Sequence, residues 1–512
     1  MVPGDKLYDV LIIGSGLGGL VCGTILAKEG YSVCILEKNR QLGGCLQTYV
    51  RDKTIFDSGV HYIGGLDPGQ NLYRIFKYLG IIDKLKLAKL NEDCFDKIIF
   101  ENDPNEYVLA QGYENFIEKL LIHFPQEEQA LRTYCAKIKE LCSFFPLYNL
   151  EVGDVYFELK DVLGLDAKSY IDALTQNLRL REVLAGNNAL YAGSSDKTPL
   201  YVHALITNSY IESSWKCIDG GSQISRLLAR EIRQHGGELF RNCEVVKLVE
   251  KEGKIDHVVL ADGLKVFANT FISNLHPVKT LELTESHVIK NAYRSRLKSL
   301  ENSISSFTLN IVFKEDCFPY FNYNYYYHDE GAVWTGADYD AENWPKGYAL
   351  FMHSYSDTNQ YAKGMTILTY MHYEEVAEWA HTHNTVSSKE DRGETYEAFK
   401  SRKAEALLDK VAQKFPGLRD CIKSTYCATP LSYKDYIGND DGSLYGIIKD
   451  YQNPLKSFIS PRTKLPNLYL TGQNLNLHGV LGVSVSSLVT CGEFIGLENL
   501  VNKIKDAQEE VV

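Results

Sequence analysis

The chain has 512 residues, 45% of them apolar and 23% charged, and its 66 acidic and 54 basic side chains leave a formal net charge of -12. That length calls for about two to four domains, and a composition this ordinary excludes a disordered chain. The negative charge is spread along the sequence with no basic stripe, which excludes a nucleic-acid surface.

Residues 8–13 form a short apolar run with nothing polar after Asp9, the pattern of a strand buried on both faces. A glycine turn over residues 14–19 follows, then a helical stretch over 17–29 that Gly30 ends, then a second buried strand over 32–36. These pieces predict one βαβ unit at the start. Residues 70–205 are dominated by helical periodicity, as at 116–121 and 131–145, which predicts a helical insertion. An amphipathic helix at 224–236 leads into short strands at 238–248 and 258–260. Runs rich in Tyr, Phe and Thr at 306–327 and 348–373 predict a large sheet, 381–392 a polar connection and 400–415 another helix. Residues 467–470 read as a buried strand, followed by a glycine-rich turn and a closing helix at 480–495.

The charge-free run 465–492 carries Pro466, Gln473, Asn474 and Asn476, which a bilayer-spanning helix tolerates poorly. Residues 1–6 are polar and the apolar stretch after them is broken by glycines, so no secretory signal is expected there. Twelve cysteines form no CxxC pair and no zinc-ligand spacing. They read as free thiols in a reducing, cytoplasmic setting, with no metal site.

The strongest motif is Gly14-x-Gly16-x-x-Gly19, because it sits between a strand and a helix. Gly14 permits the tight turn, Gly16 lets the backbone approach a pyrophosphate, and Gly19 lets the helix pack on the sheet. Leu17 and Gly18 belong to the same phosphate-facing helix start. Glu37 follows at the end of the second strand, 23 positions after Gly14, where an acid meets ribose hydroxyls and repels a 2′-phosphate. FAD and NAD remain equally open on this fingerprint alone.

Beyond Glu37 and Lys38 comes a second glycine pair, Gly43-Gly44. This arrangement resembles the N-terminal motif of FAD-dependent amine oxidases and phytoene desaturases, in which the pair lies against the flavin end. Residues 43–48, Gly-Gly-Cys-Leu-Gln-Thr, and 56–64, Phe-Asp-Ser-Gly-Val-His-Tyr-Ile-Gly, more closely resemble the retinol saturase branch of the phytoene desaturase and carotenoid isomerase family. Asp219-Gly220-Gly221, residues 429–433 with 442–446, and residues 467–473 extend the resemblance through the middle and end of the chain.

The resemblance implies an α/β fold with a Rossmann-like FAD-binding domain of the amine oxidase type, assembled from residues 1–75, 215–290 and 460–512. An α+β substrate domain would be interleaved at 76–214 and 291–459, with the helical insertion at about 76–205. FAD is the implied cofactor. Its implied contacts add His61, Tyr62, the backbone at Val245 near adenine, and Gly472, Gln473, Gly479, Val480, Gly482 and Val483 at the flavin end. Many such proteins carry Gly-Asp where this chain has Gly472-Gln473, and for Gln473 and Asn474 a turn that caps its own backbone is as well supported as a cofactor contact. The glycine-rich turn over 472–482 feeds a helix whose free N–H groups can face an anion. His61 and His478 are candidate proton donors or orienting groups, and Tyr433 and Tyr445 are expected to line the cavity ahead of any catalytic role.

No second strand, GxGxxG and helix unit follows residue 40, so the chain is expected to take electrons from an external donor. Hydride transfer to or from a carbon–carbon double bond of a hydrophobic isoprenoid is the leading reading, as reduction, desaturation or isomerisation. A flavin amine oxidase and a non-catalytic prenyl-lipid escort are the alternatives. So apolar a substrate implies peripheral contact with a membrane, and the aromatic run 318–327 reads either as that face or as a sheet edge.

Overall fold

Val10, Leu11 and Ile12 are buried on both faces of strand Leu7–Ile13, as an apolar run without alternation requires. The strand lies inside an eight-stranded sheet. It pairs in parallel with Val33–Glu37, Val10 opposite Val33, and on its other side with Lys265–Ser273, Val10 opposite Thr270. Glu238–Arg241 continues that sheet beyond Val33–Glu37, and an antiparallel meander of Val245–Lys251, Lys254–Leu260 and Lys265–Ser273 extends the opposite flank. Leu468–Leu470 joins Lys265–Ser273 in parallel from the far end of the chain. The computed structural model describes residues 6–153, 159–387 and 389–507, so the reading of residues 1–5 lies outside the described part.

Helix Leu17–Lys28 is buried from Leu17 to Ala27. A side chain at Gly23 would come within 2.7 Å of Ile35 in the sheet and 3.2 Å of Ile232 in the helix Ser222–Gln234, so the absence of a Cβ sets how closely these layers approach. Its other flank meets the helix Gly479–Ile495, where the Ser487 hydroxyl donates to the Gly18 carbonyl at 3.3 Å.

A second sheet of seven strands runs in the order Ile422–Ala428, Ser305–Phe313, Gly364–Met371, Gly347–Met352, Asn324–His328, Asp96–Phe100 and Tyr107–Leu109. Helix Glu394–Lys414 covers one face, packing Phe399, Leu407 and Val411 into a core with Phe307, Leu309 and Ile311. Helices Tyr113–Leu121, Glu128–Ser143 and Leu200–Glu212 share another core with Tyr326 and Phe351 of this sheet.

Three expectations are corrected. The stretch 70–205 is not uniformly helical: Asp96–Phe100 and Tyr107–Leu109 are strands of the second sheet, and Leu87–Lys89 pairs with Ser214–Cys217. Short strands with distant partners are decided by tertiary pairing rather than by local pattern. The aromatic run 318–327 supplies no membrane face through Tyr325 and Tyr326, because Asn324–His328 is an interior strand and these rings are 5% and 1% exposed. The cysteines are not all free, since Cys317 and Cys421 form a disulfide while ten remain thiols. Pairing of Phe313 with Ile422 across two strands brings these cysteines together, and no spacing in the sequence announces it. Among the described residues no single helix is long and apolar enough to cross a membrane.

Candidate active site

The first glycine motif builds a cradle from backbone alone. Gly14 turns at φ +90°, a left-handed geometry that side-chain-bearing residues rarely adopt. A Cβ on Gly16 would fall 2.7 Å from Asn274 Nδ2, and one on Gly18 would fall 2.5 Å from Asn274 Oδ1. Gly19 faces inward instead, where a Cβ would meet the Gly14 carbonyl oxygen at 2.2 Å. Helix Leu17–Lys28 starts with no side-chain cap and no acid in its first turn, so its leading N–H groups and positive dipole end are available to an anion. Helix Gly479–Ile495 starts in the same way, with His478 at its N-cap making no capping bond.

Both helix starts open into one cavity of about 1170 Å³. This exceeds the usual pocket for a single small ligand and suits a cofactor together with a substrate. Glu37, buried at its edge, accepts hydrogen bonds from Ser15 N at 3.0 Å, Ser15 Oγ at 2.6 Å and Asn39 N at 2.8 Å. These bonds fix the carboxylate while leaving acceptor capacity for hydroxyls. Glycine backbone, two uncapped helix ends and a fixed acid together suit the diphosphate and ribose of a dinucleotide.

Every residue expected from the sequence to contact the cofactor or handle a proton lines this cavity except Gly19, which serves helix packing. Val245 reaches it between Glu244 and Val246, opposite Leu260 in its strand pair. Lys38 Nζ donates to the Asp435 carbonyl at 3.0 Å, and burial lowers the pKa of its amine. Gly472 turns at φ +100°, Gln473 lines the wall beside it, and Asn474 Oδ1 accepts from Ile447 N at 3.1 Å, a structural duty.

His61 stacks flat on Phe351 at 4.4 Å, with a buried Nδ1 that has no hydrogen-bond partner. Burial pushes its pKa down to about 4 against the pull of Asp57. His478 packs on Tyr445 at 4.3 Å and bonds through Nε2 to the Leu190 carbonyl at 3.1 Å, which places a proton on Nε2. Burial also pushes its pKa down to about 4, so both imidazoles are neutral at neutral pH. Tyr433 Oη is 3.2 Å from Ser306 Oγ, and burial raises its pKa. Tyr62 is turned toward the second sheet, its hydroxyl engaged with Asp96 and Tyr326.

Asn274 and Lys449 are among the cavity groups that escaped sequence reasoning. Asn274 follows the end of Lys265–Ser273 and donates its backbone N–H to the Ile13 carbonyl at 2.9 Å, holding its amide against both glycine turns. The signal available was its place just past the carboxyl end of a parallel strand, where α/β sheets bind ligands. Lys449, with no such signal, donates to the carbonyls of Leu475 and Ser457 at 3.1 and 3.2 Å, and burial pushes its pKa down to about 8.

The part of the cavity between the helical stretch and the second sheet is mainly apolar. Phe144, Phe145 and Leu205 from the helical stretch face Ala349, Phe351 and Leu368 of the second sheet. The arrangement therefore joins an anion cradle to a greasy chamber.

The profile of the NAD(P)-binding Rossmann-like domain matches residues 12–79. Human all-trans-retinol 13,14-reductase is 27% identical over 551 aligned positions, spanning 99% of this chain and 88% of that protein. A prolycopene isomerase from an Oncidium hybrid cultivar is 24% identical over 526 positions, 94% of this chain and 83% of its own. A solved structure of putrescine oxidase superposes with a TM-score of 0.65 at 13% identity, covering 96% of this chain and 99% of that one, and so shares the fold. The chain is thus similar from end to end to a retinol reductase and to a carotenoid isomerase, and it shares the fold of a putrescine oxidase, with glycine turns that suit a dinucleotide.

Proposed function

We propose that the chain binds FAD and acts on a carbon–carbon double bond of a long apolar isoprenoid or polyene, with reduction as the leading direction. The observation that carries this reading is the single cavity that runs from the glycine cradle to an apolar chamber. Bound FAD would supply hydride to, or accept it from, a substrate carbon. The start of helix Leu17–Lys28 would hold the diphosphate, Glu37 the ribose hydroxyls and the backbone around Val245 the adenine. The start of Gly479–Ile495, beside Gly472 and Gln473, would stabilise negative charge at the other end of the cofactor. His61, flat on Phe351, forms a rigid wall for a planar conjugated chain, His478 holds the turn before its helix, and Tyr433 closes the chamber. The aromatic and aliphatic lining orients the double bond and excludes water.

The direct test is anaerobic single turnover of the chemically reduced, FAD-loaded protein with all-trans-retinol and a carotenoid panel. A product heavier by two hydrogens is expected. Unchanged mass across the panel in protein that holds FAD would rule out reduction of those compounds.

Membrane contact is proposed for the stretch that includes Val152, which is 49% exposed yet lines the cavity together with Phe145 and Leu147. Val152→Asp is expected to weaken co-flotation with neutral liposomes, and unchanged flotation would discard this route.

A further inference from the structure

The second-sheet wall of the cavity carries a line of titratable groups that cofactor and substrate binding leave without a role. Asp96, fully buried, accepts hydrogen bonds from Asn324 Nδ2 at 2.9 Å, Tyr62 Oη at 2.9 Å and Asn187 Nδ2 at 3.3 Å. Tyr62 Oη is in turn 2.7 Å from Tyr326 Oη, and both tyrosines line the cavity. Behind them Lys216 is 2% exposed on strand Ser214–Cys217, and its Nζ has no hydrogen-bond partner. Its charge acts on both Asp96 and His61.

Packing alone gives no reason for this group of residues. A buried amine without a partner costs several kcal/mol in desolvation, and a buried carboxyl is costly unless it is paired or protonated. Burial pushes Asp96 up to about 6 and Lys216 down to about 7, so both lie close to a proton exchange at neutral pH. Groups tuned in this way beside a cavity mark proton chemistry.

Resting on the double-bond reductase reading, we propose that Asp96, Tyr62 and Tyr326 form a proton line into the cavity and that Tyr326 is the catalytic acid. Hydrogen-bond direction gives the line its logic. When Asp96 is ionised, Tyr62 donates to it, Tyr326 donates to Tyr62, and only lone pairs of Tyr326 face the cavity. When Asp96 carries a proton on Oδ2 the order reverses, and the Tyr326 O–H is free to point at a substrate carbon.

Bound reduced flavin would supply hydride to one carbon of the double bond, and the π pair would then rest on the conjugated partner carbon. That pair takes the Tyr326 proton, Tyr326 regains one from Tyr62, and Tyr62 regains one from Asp96. One double bond has gained one hydride and one proton. The proton deficit ends on the Asp96 carboxylate, where the Lys216 ammonium stabilises it until solvent returns a proton. The other charged or titratable groups near the line are Asp57 and His353 beside His61, Tyr445 near Tyr326, and Tyr210, whose ring centroid lies 4.4 Å from that of Tyr62.

The test compares FAD-loaded wild type, Tyr326→Phe and Asp96→Asn in single turnover with a polyene, alongside polyene affinity by fluorescence quenching. Both variants are expected to keep affinity within about threefold while product formation falls about 100-fold or more. In the flavin-free proteins, infrared spectra across pH are expected to show a buried carboxylic-acid band that Asp96→Asn abolishes and Tyr326→Phe, lacking only one hydroxyl, shifts. A Tyr326→Phe enzyme as fast as the wild type, or a wild-type spectrum without that band, overturns the proton line. A wild type that shows the band, keeps its FAD and reduces no polyene contradicts the substrate reading and leaves the hydrogen-bonded line supported.

Discussion

At the residue scale, the central contrast is between the second and third glycines of the first motif. Gly16 faces the cavity, and Gly19 faces the sheet. A side chain at Gly16 is forced toward Asn274 Nδ2, 2.7 Å from its Cβ, in the space assigned here to the diphosphate. Gly16→Val is therefore expected to lower FAD affinity at least tenfold with little loss of melting temperature, as measured by flavin titration and thermal denaturation. Gly19→Ala is expected to act on stability first, because its Cβ lies 2.2 Å from the Gly14 carbonyl and relieving that overlap costs about 1–3 kcal/mol. If Gly16→Val held FAD as well as the wild type, the cradle would be misplaced.

At the element scale, the disulfide ties the loop after Ser305–Phe313 to the start of Ile422–Ala428, closing a separation of 104 residues. A loop of that length stabilises by up to roughly 4–5 kcal/mol on the chain-entropy account. Cys317→Ser is expected to lower the denaturant midpoint accordingly, and unfolded, unreduced wild type is expected to titrate ten thiols rather than twelve. Twelve would contradict the bond.

The same pair of elements shows why sequence reading stopped where it did. The βαβ unit over residues 7–37 was legible because its hydrophobic pattern, its turn glycines and Glu37 are all local demands of one backbone path. Strand Asp96–Phe100 was hidden in an apparently helical stretch, because its partner Asn324–His328 lies far away in sequence and only the assembled sheet selects it. The glycine cradle and both histidines of the site could be named in advance, since fixed spacing or a family motif carries them. Asn274, Asp96, Tyr326 and Lys216 could not, because each becomes part of the site only when strands from separate stretches converge.

At the scale of the whole molecule, four histidines set an acid limit, His203 and His328 in the core and His61 and His478 on the cavity wall. Burial pushes His61, His203, His328 and His478 each from the usual 6.5 down to about 4. Below pH 6.5 the unfolded chain binds protons that the folded one refuses. Stability is therefore complete above that pH and is lost as pH falls toward 4, by roughly 1.4 kcal/mol per pH unit for each histidine. Asp96, raised to about 6, favours the folded state at low pH and offsets part of one histidine's effect. Denaturant midpoints at pH 7.5, 6 and 5 are expected to fall in that order, and a flat profile would mean that these rings are hydrated.

Both sheets and the helical layer meet at the one cavity, so the whole arrangement depends on a dinucleotide lying over Gly14, Gly16 and Glu37 beside an apolar chamber. Calorimetric titration of the purified, cofactor-stripped chain with FAD, NAD and NADP tests this most directly. The expected result is one FAD per chain, with a flavin absorption band near ~450 nm that persists through gel filtration, and no comparable binding of NAD or NADP. Failure to retain FAD at saturating concentration, or tight binding of NAD in its place, would contradict it.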